Sequence, residues 1–465
     1  MKLRIATIVC ALVFVLALLG VAGSAQARSK APRLTGLRCV PTTTKVCRQG
    51  VRVPVGKQVQ VHGRGLKRGM RVSFRWSKGA LATKLARNRA GWSVRVPPGT
   101  ALGKIAVTVR DRAGRRSNKR HMVVVAVASL PPLSAARPGA LPAIFDGNGM
   151  WIWYVSKSEG GNLDAIALRA RAAGMRTVFV KSADRGTVWQ QFSPQLVADL
   201  HARGLRVCAW QFVYGADPLG EAQAAAASIA AGADCFVIDA ETAYEGRYAA
   251  AQRYMTALRA AIGPDYPLAF TSFPYVDYHP RLPYSVFLGP GGAQANLPQV
   301  YWKAIGGSVD AVSAKTVANN RIYGTPIAPL GQSYDAPPAA DLRRFRAVWA
   351  GYGAGGLSWW SWQASSDATW SVLSEPAPVP AVLPDPGWPA LNKGSSGDQV
   401  IWMQQHLASA DPSVALDGKF TAATAAALKA FQAAHGLPPT GETDAATWQA
   451  LLTVPLRPVD WTAVS

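Results

Sequence analysis

The sequence predicts a multidomain protein: an antiparallel β-sandwich, then a (β/α)8 TIM barrel, then a small three-helix α domain. Three observations predict it. Over residues 28–128, short runs with period-2 alternation (QVQVHGRGL, RVSFRW, WSVRVP, KIAVTVRD, HMVVVAV) are separated by Gly-rich breaks, the pattern of a small antiparallel sandwich. Over residues 146–373, eight β-type runs alternate with helix-like stretches such as LDAIALRARAAG and PQLVADLHARG, the content of one barrel. Over residues 390–452, Val400, Met403 and Leu407 recur at helical spacing, as do Leu428 and Phe431, while Asp417-Gly418 and Thr440-Gly441 mark turns. With 465 residues, 49% of them hydrophobic and 16% charged, the composition excludes a wholly disordered or fibrous chain.

In chain order, residues 1–27 carry Lys2 and Arg4, an uninterrupted apolar run and the small-residue exit Ala25-Gln26-Ala27, the layout of a secretory signal cleaved after Ala27. An uncleaved anchor is the alternative, since the run approaches a bilayer span. Cleavage makes the mature protein secreted and, with the wall module below, cell-wall associated. The formal charge of +24 then falls in one place. Residues 28–127 hold 25 Lys and Arg against Asp111 alone, and the rest of the chain is nearly neutral. Such a surface attracts phosphate-rich wall polymers or anionic lipid headgroups. Nucleic acid is not an expected partner: the basic residues are spread over strands and loops without a compact recognition helix, and the chain is exported. Proline-rich stretches at 129–145 and 374–389 read as linkers, and 453–465 as a tail. Cys39 and Cys47 flank a short turn and suit a disulfide in an oxidising compartment, whereas Cys208 and Cys235, in apolar strands, read as ordinary buried thiols.

A barrel gathers function at the carboxyl ends of its strands. The candidate strands are 151–155, 177–182, 206–212, 235–241, 267–273, 298–302, 327–333 and 356–363. Their ends supply Trp153, Tyr154, Lys181, Gln211, Tyr214, Gln299, Tyr301, Trp302, Gln332, Trp360, Trp362 and Gln363 as candidate substrate-binding residues. Asp184, Thr271, Ser272, Tyr334 and Trp359 fall on the same rim. Aromatic faces suit the apolar faces of sugar rings and amides suit hydroxyls, so the expected ligand is a glycan. The one carboxylate pair lies in VIDAE. Residues two apart on a strand project to the same side, which aims Asp239 and Glu241 together into the barrel mouth. Close carboxylates disfavour joint ionisation, leaving one protonated near neutral pH and the other charged, the division of labour that glycoside hydrolysis needs. The pairing by itself leaves open which of Asp239 and Glu241 is the acid. No metal and no cofactor is expected: the six His residues are scattered without ligand spacing, no G-x-S-x-G elbow occurs, and no G-x-G-x-x-G follows the first strand of the barrel.

Several segments resemble known families. VGKQVQVHGRGLKRGMRVSF and VPPGTALGKIAVTVRDRAGRRSN resemble immunoglobulin-like domains of the TIG type, which implies a spacer or binding role. VFVKSADRG, RVCAWQFVYG, VIDAE and the final Trp362-Gln363 resemble family 25 glycoside hydrolases, the lysozyme-type muramidases, in which the D-x-E aspartate and glutamate are catalytic. That family has an Asp at the end of its first strand, where this chain reads WIWYVSKS. Family 18 chitinase-like barrels are a second resemblance: Asp234, Asp239 and Glu241 stand at three of four acidic positions, with Val237 at the fourth. It implies that Glu241 is the acid and the substrate's acetamido group the nucleophile. The segment from Ala390 to Leu452 resembles the three-helix peptidoglycan-binding domain, matching at Gly397, Gln404, Asp417, Gly418, Phe420, Gly436, Gly441 and Trp448, among others. The expected function is binding peptidoglycan and hydrolysing its glycan strand. A wall-binding protein with a degenerate glycosidase barrel, and a chitinase-like glycosidase, are the alternatives.

Overall fold

A computed structural model describes residues 30–39, 51–54, 57–88, 91–97, 100–101, 103–125 and 140–462. The signal segment, the Cys39–Cys47 pairing and most of the first linker lie outside the described residues. The chain divides into two compact units, one centred on residues 57–124 and the other beginning at Val125.

The first unit is built from β1 (Arg33–Cys39), β2 (Arg52–Pro54), β3 (Gln58–Arg64), β4 (Arg71–Trp76), β5 (Gly79–Lys84), β6 (Ala86–Asn88), β7 (Gly91–Arg95), β8 (Gly103–Arg110) and β9 (Arg120–Val125). They form two antiparallel sheets, ordered β1-β3-β7-β6 and β2-β9-β8-β4-β5. The predicted alternation holds in detail. Val59 and Val61 of β3, Val72 and Phe74 of β4, and Ile105, Val107 and Val109 of β8 are buried, and their sequence neighbours are more exposed. Asn118, before β9, bonds Leu34 of β1 in both directions, at 2.8 and 3.0 Å, linking one sheet to the other.

The second unit contains β10 (Gly147–Ile152), β11 (Thr177–Asp184), β12 (Thr187–Val188), β13 (Arg206–Val213), β14 (Cys235–Ala240), β15 (Leu268–Thr271), β16 (Ala295–Asn296), β17 (Gln299–Val300), β18 (Leu330–Gln332) and β19 (Gly356–Trp360). These make one curled sheet in the order β16-β15-β14-β13-β11-β10-β19-β18-β17, parallel throughout apart from the β11–β12 hairpin. Its two end strands are consecutive in the chain, split at Leu297-Pro298 because proline cannot donate to a ladder. Backbone bonds run from this segment to both flanks: Leu297 N donates to Phe270 O (2.7 Å), and Ala328 N donates to Asn296 O (2.8 Å).

Strand parity sorts the side chains into two layers. Trp151, Phe179, Cys208, Trp210, Cys235, Val237, Ala269, Ala295, Leu297 and Leu330 form the core enclosed by the curl. The alternate residues, such as Val178, Val207, Ala209, Phe236 and Ile238, pack outward in the core shared with the helices. Those helices start where the sequence caps them: Ser193 before Pro194–His201 and Asp217 before Pro218–Ala230 each accept from a first-turn amide, with Pro at the first helical position. One expectation is overturned here. Cys208 and Cys235 are register partners on neighbouring strands with Cα atoms 4.5 Å apart, and they form a disulfide. Read strand by strand, each thiol looks isolated; parallel pairing sets them opposite one another.

The three predicted C-terminal helices are Asp398–Ala410, Ala422–Ala434 and Ala445–Leu451. Thr421 and Thr424 form a capping box at the second helix and Asp444 caps the third. The first helix is buried from Asp398 to Ala408, because it packs on its own module by one face and on the sheet domain by the other. Trp402 Nε1 donates to Ile322 O (2.7 Å) and its ring lies 5.1 Å from Tyr323. Gln399 Nε2 donates to Asn319 O (3.2 Å). The 374–389 stretch has neither helix nor strand yet runs against the sheet domain, held by Ala381 N to Ala347 O (2.9 Å) and by Arg321, which pairs with Asp385 (2.6 Å) and covers the Trp388 ring. No helix among the described residues is long and apolar enough to cross a membrane.

Candidate active site

At the carboxyl ends of the parallel strands lies a cavity of about 350 Å3. Eight of the residues expected there line it: Asp239, Glu241, Trp153, Lys181, Tyr214, Gln299, Tyr301 and Trp360. Their parity explains this. Asp239 continues the inward row of Cys235 and Val237 on β14, and Glu241 follows it one step past the strand end. Gln299 of β17 bridges the two acids, its Nε2 donating to Asp239 Oδ1 at 3.2 Å and to Glu241 Oε1 at 2.9 Å.

Lys181 stands across from this pair with its side chain 1% exposed, bonded to Asp184 at 2.8 Å. Its ammonium lies 4.3 Å from the Trp210 ring centre and 5.2 to 5.6 Å from those of Trp153, Trp189 and Phe212, a cation held by aromatic faces. Burial lowers its pKa, against the pull of Asp184, Asp239 and Glu241. Asp239 is pushed well above the usual carboxylate range, by burial first and then by the Glu241 charge, with Lys181 opposing. Burial and the neighbouring charge together favour the neutral form of Asp239. Burial also raises the Tyr301 hydroxyl, with both acids adding to the effect, so it stays a neutral donor beside them.

Glu221 organises one wall. It is buried at the start of Pro218–Ala230 and accepts from Tyr214 N (2.7 Å), Gly215 N (3.0 Å) and Tyr244 Oη (3.1 Å), which fixes the loop that carries Tyr214.

Six expected residues lie outside the cavity lining. Gln211 faces the helix layer, its Nε2 donating to Arg185 O and Glu221 O while its Oε1 accepts from Tyr254. Gln332 is buried and accepts from the amides of Lys303 and Ala304. Trp302 stacks on Phe345 and donates to Asp341. Trp362 packs on Trp370 and donates to Glu159. Gln363 accepts from Trp153 N at 3.4 Å, behind the cavity wall. Tyr154 is 37% exposed and stacks on Trp153 and Trp189 beside the opening. Of the wider rim, Asp184 is in the lining, whereas Trp359 packs outward on Phe345. Sequence reasoning missed four lining residues: Trp151, Trp210, Phe212 and Leu330. Parity was the available signal, since Trp151 shares its face with Trp153, and Trp210 and Phe212 flank the outward Gln211. Among the described residues no cluster of three His, Cys, Asp or Glu side chains is placed to hold a metal.

Residues 396–451 match the PG_binding_1 family model, a peptidoglycan binding domain. That is the class of the C-terminal module, within the 390–452 segment read from sequence. A search of curated proteins returns no match to the chain. Among solved structures, a chitinase from Chromobacterium violaceum aligns at 14% identity over 49% of this chain and 98% of its own, with a TM-score of 0.39. An endo-1,4-beta-mannanase from Rhizomucor miehei aligns at 10% over 47% and 86%, with a TM-score of 0.38. A chitinase-like agglutinin from Robinia pseudoacacia aligns at 9% over 49% and 98%, with a TM-score of 0.36.

Proposed function

We propose that this is a secreted, wall-associated glycoside hydrolase that cleaves an N-acetylated glycan, held on peptidoglycan by its C-terminal module. The observation that carries the reading is the Gln299-bridged pair of Asp239 and Glu241 in an aromatic-lined cavity. The bonds of residues 294–299 to both flanking strands support a closed (β/α)8 barrel as its frame.

The two acids approach from one strand and one side. Their bridged oxygens cannot lie further apart than the two hydrogen bonds laid end to end, short of the roughly 6.5–9.5 Å that an inverting pair leaves for water. They act as one proton-handling unit. The proton held by Asp239 passes to Glu241, which delivers it to the leaving glycosidic oxygen and leaves Asp239 charged, the two acids staying bonded to the same amide. The nucleophile then comes from the substrate, as the family 18 resemblance implies: the acetamido oxygen attacks the anomeric carbon as the glycosidic bond breaks, and water, giving a proton to Glu241 acting as base, then attacks that carbon and frees the acetamido group, with net retention. Wall glycan and chitin both carry that acetamido group. Trp153, Trp360 and Tyr214 supply faces for the sugar rings.

A second reading has its own observation: the first parallel strand, β10, is followed by Trp153-Tyr154 with no acid, which fits a barrel that grips glycan without cutting it. Digestion of purified peptidoglycan and of chitin oligomers, read as new reducing ends by mass spectrometry, separates the two. The enzyme reading requires wild-type cleavage that Glu241→Gln loses. Binding without cleavage by either protein leaves the lectin-like reading.

A further inference from the structure

The basic unit carries its charge in a pattern. On β4, Val72 and Phe74 point into the core, so Arg71, Ser73 and Arg75 share the opposite face. Register places Lys84 of β5 and Arg110 of β8 directly on either side of Arg71, making a cross-strand row of three cations. Arg116 bridges onto Arg110 and extends the row. The next row is Ala82, Ser73 and Thr108, all small; the one beyond is Ala80, Arg75, Ala106 and His121. Like charges directly opposite each other in a sheet are destabilising. The unit's acid, Asp111, does not relieve them, because it is bonded to Arg115 at 2.8 Å. The result is an open face with one cation row, Arg75 about 13 Å further along the strand, and a shallow floor of small side chains between them.

We propose that this face of β9-β8-β4-β5 is the docking surface for an anionic wall polymer with repeated phosphodiesters, laid over the floor between the cation row and Arg75. Charge complementarity commits the face to a polyanion, and two observations choose the polymer over a bilayer. Among the described residues of this unit, no large hydrophobic side chain is exposed to enter a membrane interface. The same chain carries a peptidoglycan binding match at residues 396–451, which brings it to the wall. The assignment is independent of whether the cavity is catalytic.

The test uses the full mature chain and two kinds of purified sacculi, one retaining its phosphodiester polymers and one stripped of them with hydrofluoric acid. Replacing Arg71, Lys84 and Arg110 together by Gln lowers affinity for intact sacculi about tenfold at low salt, from three exposed charge pairings of a few-fold each. It also flattens the log–log salt dependence by two to three, on the order of one for each phosphate that no longer meets a cation. A control triple, Lys67, Arg68 and Lys78 to Gln, removes the same charge from turns and changes affinity less than about twofold. Stripped sacculi bind all three proteins equally through the C-terminal module. Equal losses in the two triples would reduce the effect to net charge and overturn the assigned face. Loss on phosphatidylglycerol vesicles with none on intact sacculi would make the partner a membrane. Acetylation footprinting of the wild type needs no variant to fold: the polymer protects Lys84 and Lys104, which shares the β8 face of Ala106 and Arg110, but not Lys67 or Lys78, and the opposite pattern refutes the site.

Discussion

Two aspartates are withdrawn from water in the second unit, and both bind their protons more tightly than an ordinary aspartate. Their surroundings differ. Asp239, in the cavity, has another carboxylate beside it, a single amide donor and a cation opposite. Asp398, at the seam between the sheet domain and the C-terminal module, is fully enclosed by donors: Ser285 N (2.9 Å), Ser285 Oγ (2.7 Å) and Tyr323 Oη (2.7 Å). Burial is the first cause of the shift in each. At the seam the opposition is fixed hydrogen bonding, so the charge is a structural fastening. In the cavity the one opposing charge is Lys181, and the neighbouring carboxylate adds to the shift instead of satisfying the acid. A perturbed acid marks a functional site only when its compensation is incomplete and accessible.

The comparison breaks most visibly through the rate. Glu241→Gln removes the proposed proton donor from an otherwise intact cavity and should lower kcat on chitin oligomers by about 10²- to 10⁴-fold, with the melting temperature within a degree or two of wild type. Asp398→Ala should do the opposite. It strands three donors and opens a hole where the module docks, costing about 2–4 kcal/mol in denaturant titrations, while turnover of a small soluble oligomer stays near wild type below the transition. Lost turnover in folded Asp398→Ala would mean that the seam belongs to the active unit and would dissolve the contrast.

The pH dependence of stability sharpens it. Asp398 is pushed up to about 6 from an ordinary value of 3.8, so between those values the folded state binds more protons than the unfolded. Stability therefore falls as pH rises through that window, by roughly 3 kcal/mol in total, and is flat above it as far as this group is concerned. Asp239 adds a slope of the same sign. Asp398→Asn should flatten most of the decline between pH 4 and 6, and a variant that keeps the full slope would assign it to Asp239 instead.

The parts legible from sequence were those governed by periodicity. Inward parity put Asp239, Glu241, Trp153, Lys181 and Trp360 in one cavity, and helical spacing with turn signals located the three C-terminal helices. What failed was anything that needed neighbours from distant sequence. Gln211 and Gln332 sit at strand ends like true site residues, but parity sends one to the helix layer and helix capping takes the other. Cys208 and Cys235 meet only because β13 and β14 pair in that register. Asp398 reads as an ordinary acid at a helix start, where it would interact favourably with first-turn amides; nothing local announces Tyr323 and Ser285, 75 and 113 residues away.

The smallest effect tests the seam most directly. Tyr323→Phe removes one donor to Asp398 Oδ1 and leaves Ser285 in place, so the carboxylate keeps two of its three bonds. One hydrogen bond to a charged acceptor contributes about 1.5–3 kcal/mol, and the aromatic packing of Tyr323 against Tyr284 and Trp402 is kept, so the loss should fall at the lower end. Its pH dependence carries the argument. The bond lowers the Asp398 pKa because it favours the charged form, so removing it raises the proton affinity of the folded state further. The variant should be destabilised much less at pH 4, where the carboxyl is protonated in the folded protein and no longer depends on the donor, and fully only once pH passes the variant's own value, above the wild type's of about 6. A loss equal at both pH values would mean that the hydroxyl serves packing alone, and that the fastening of the C-terminal module rests on Ser285 and Trp402.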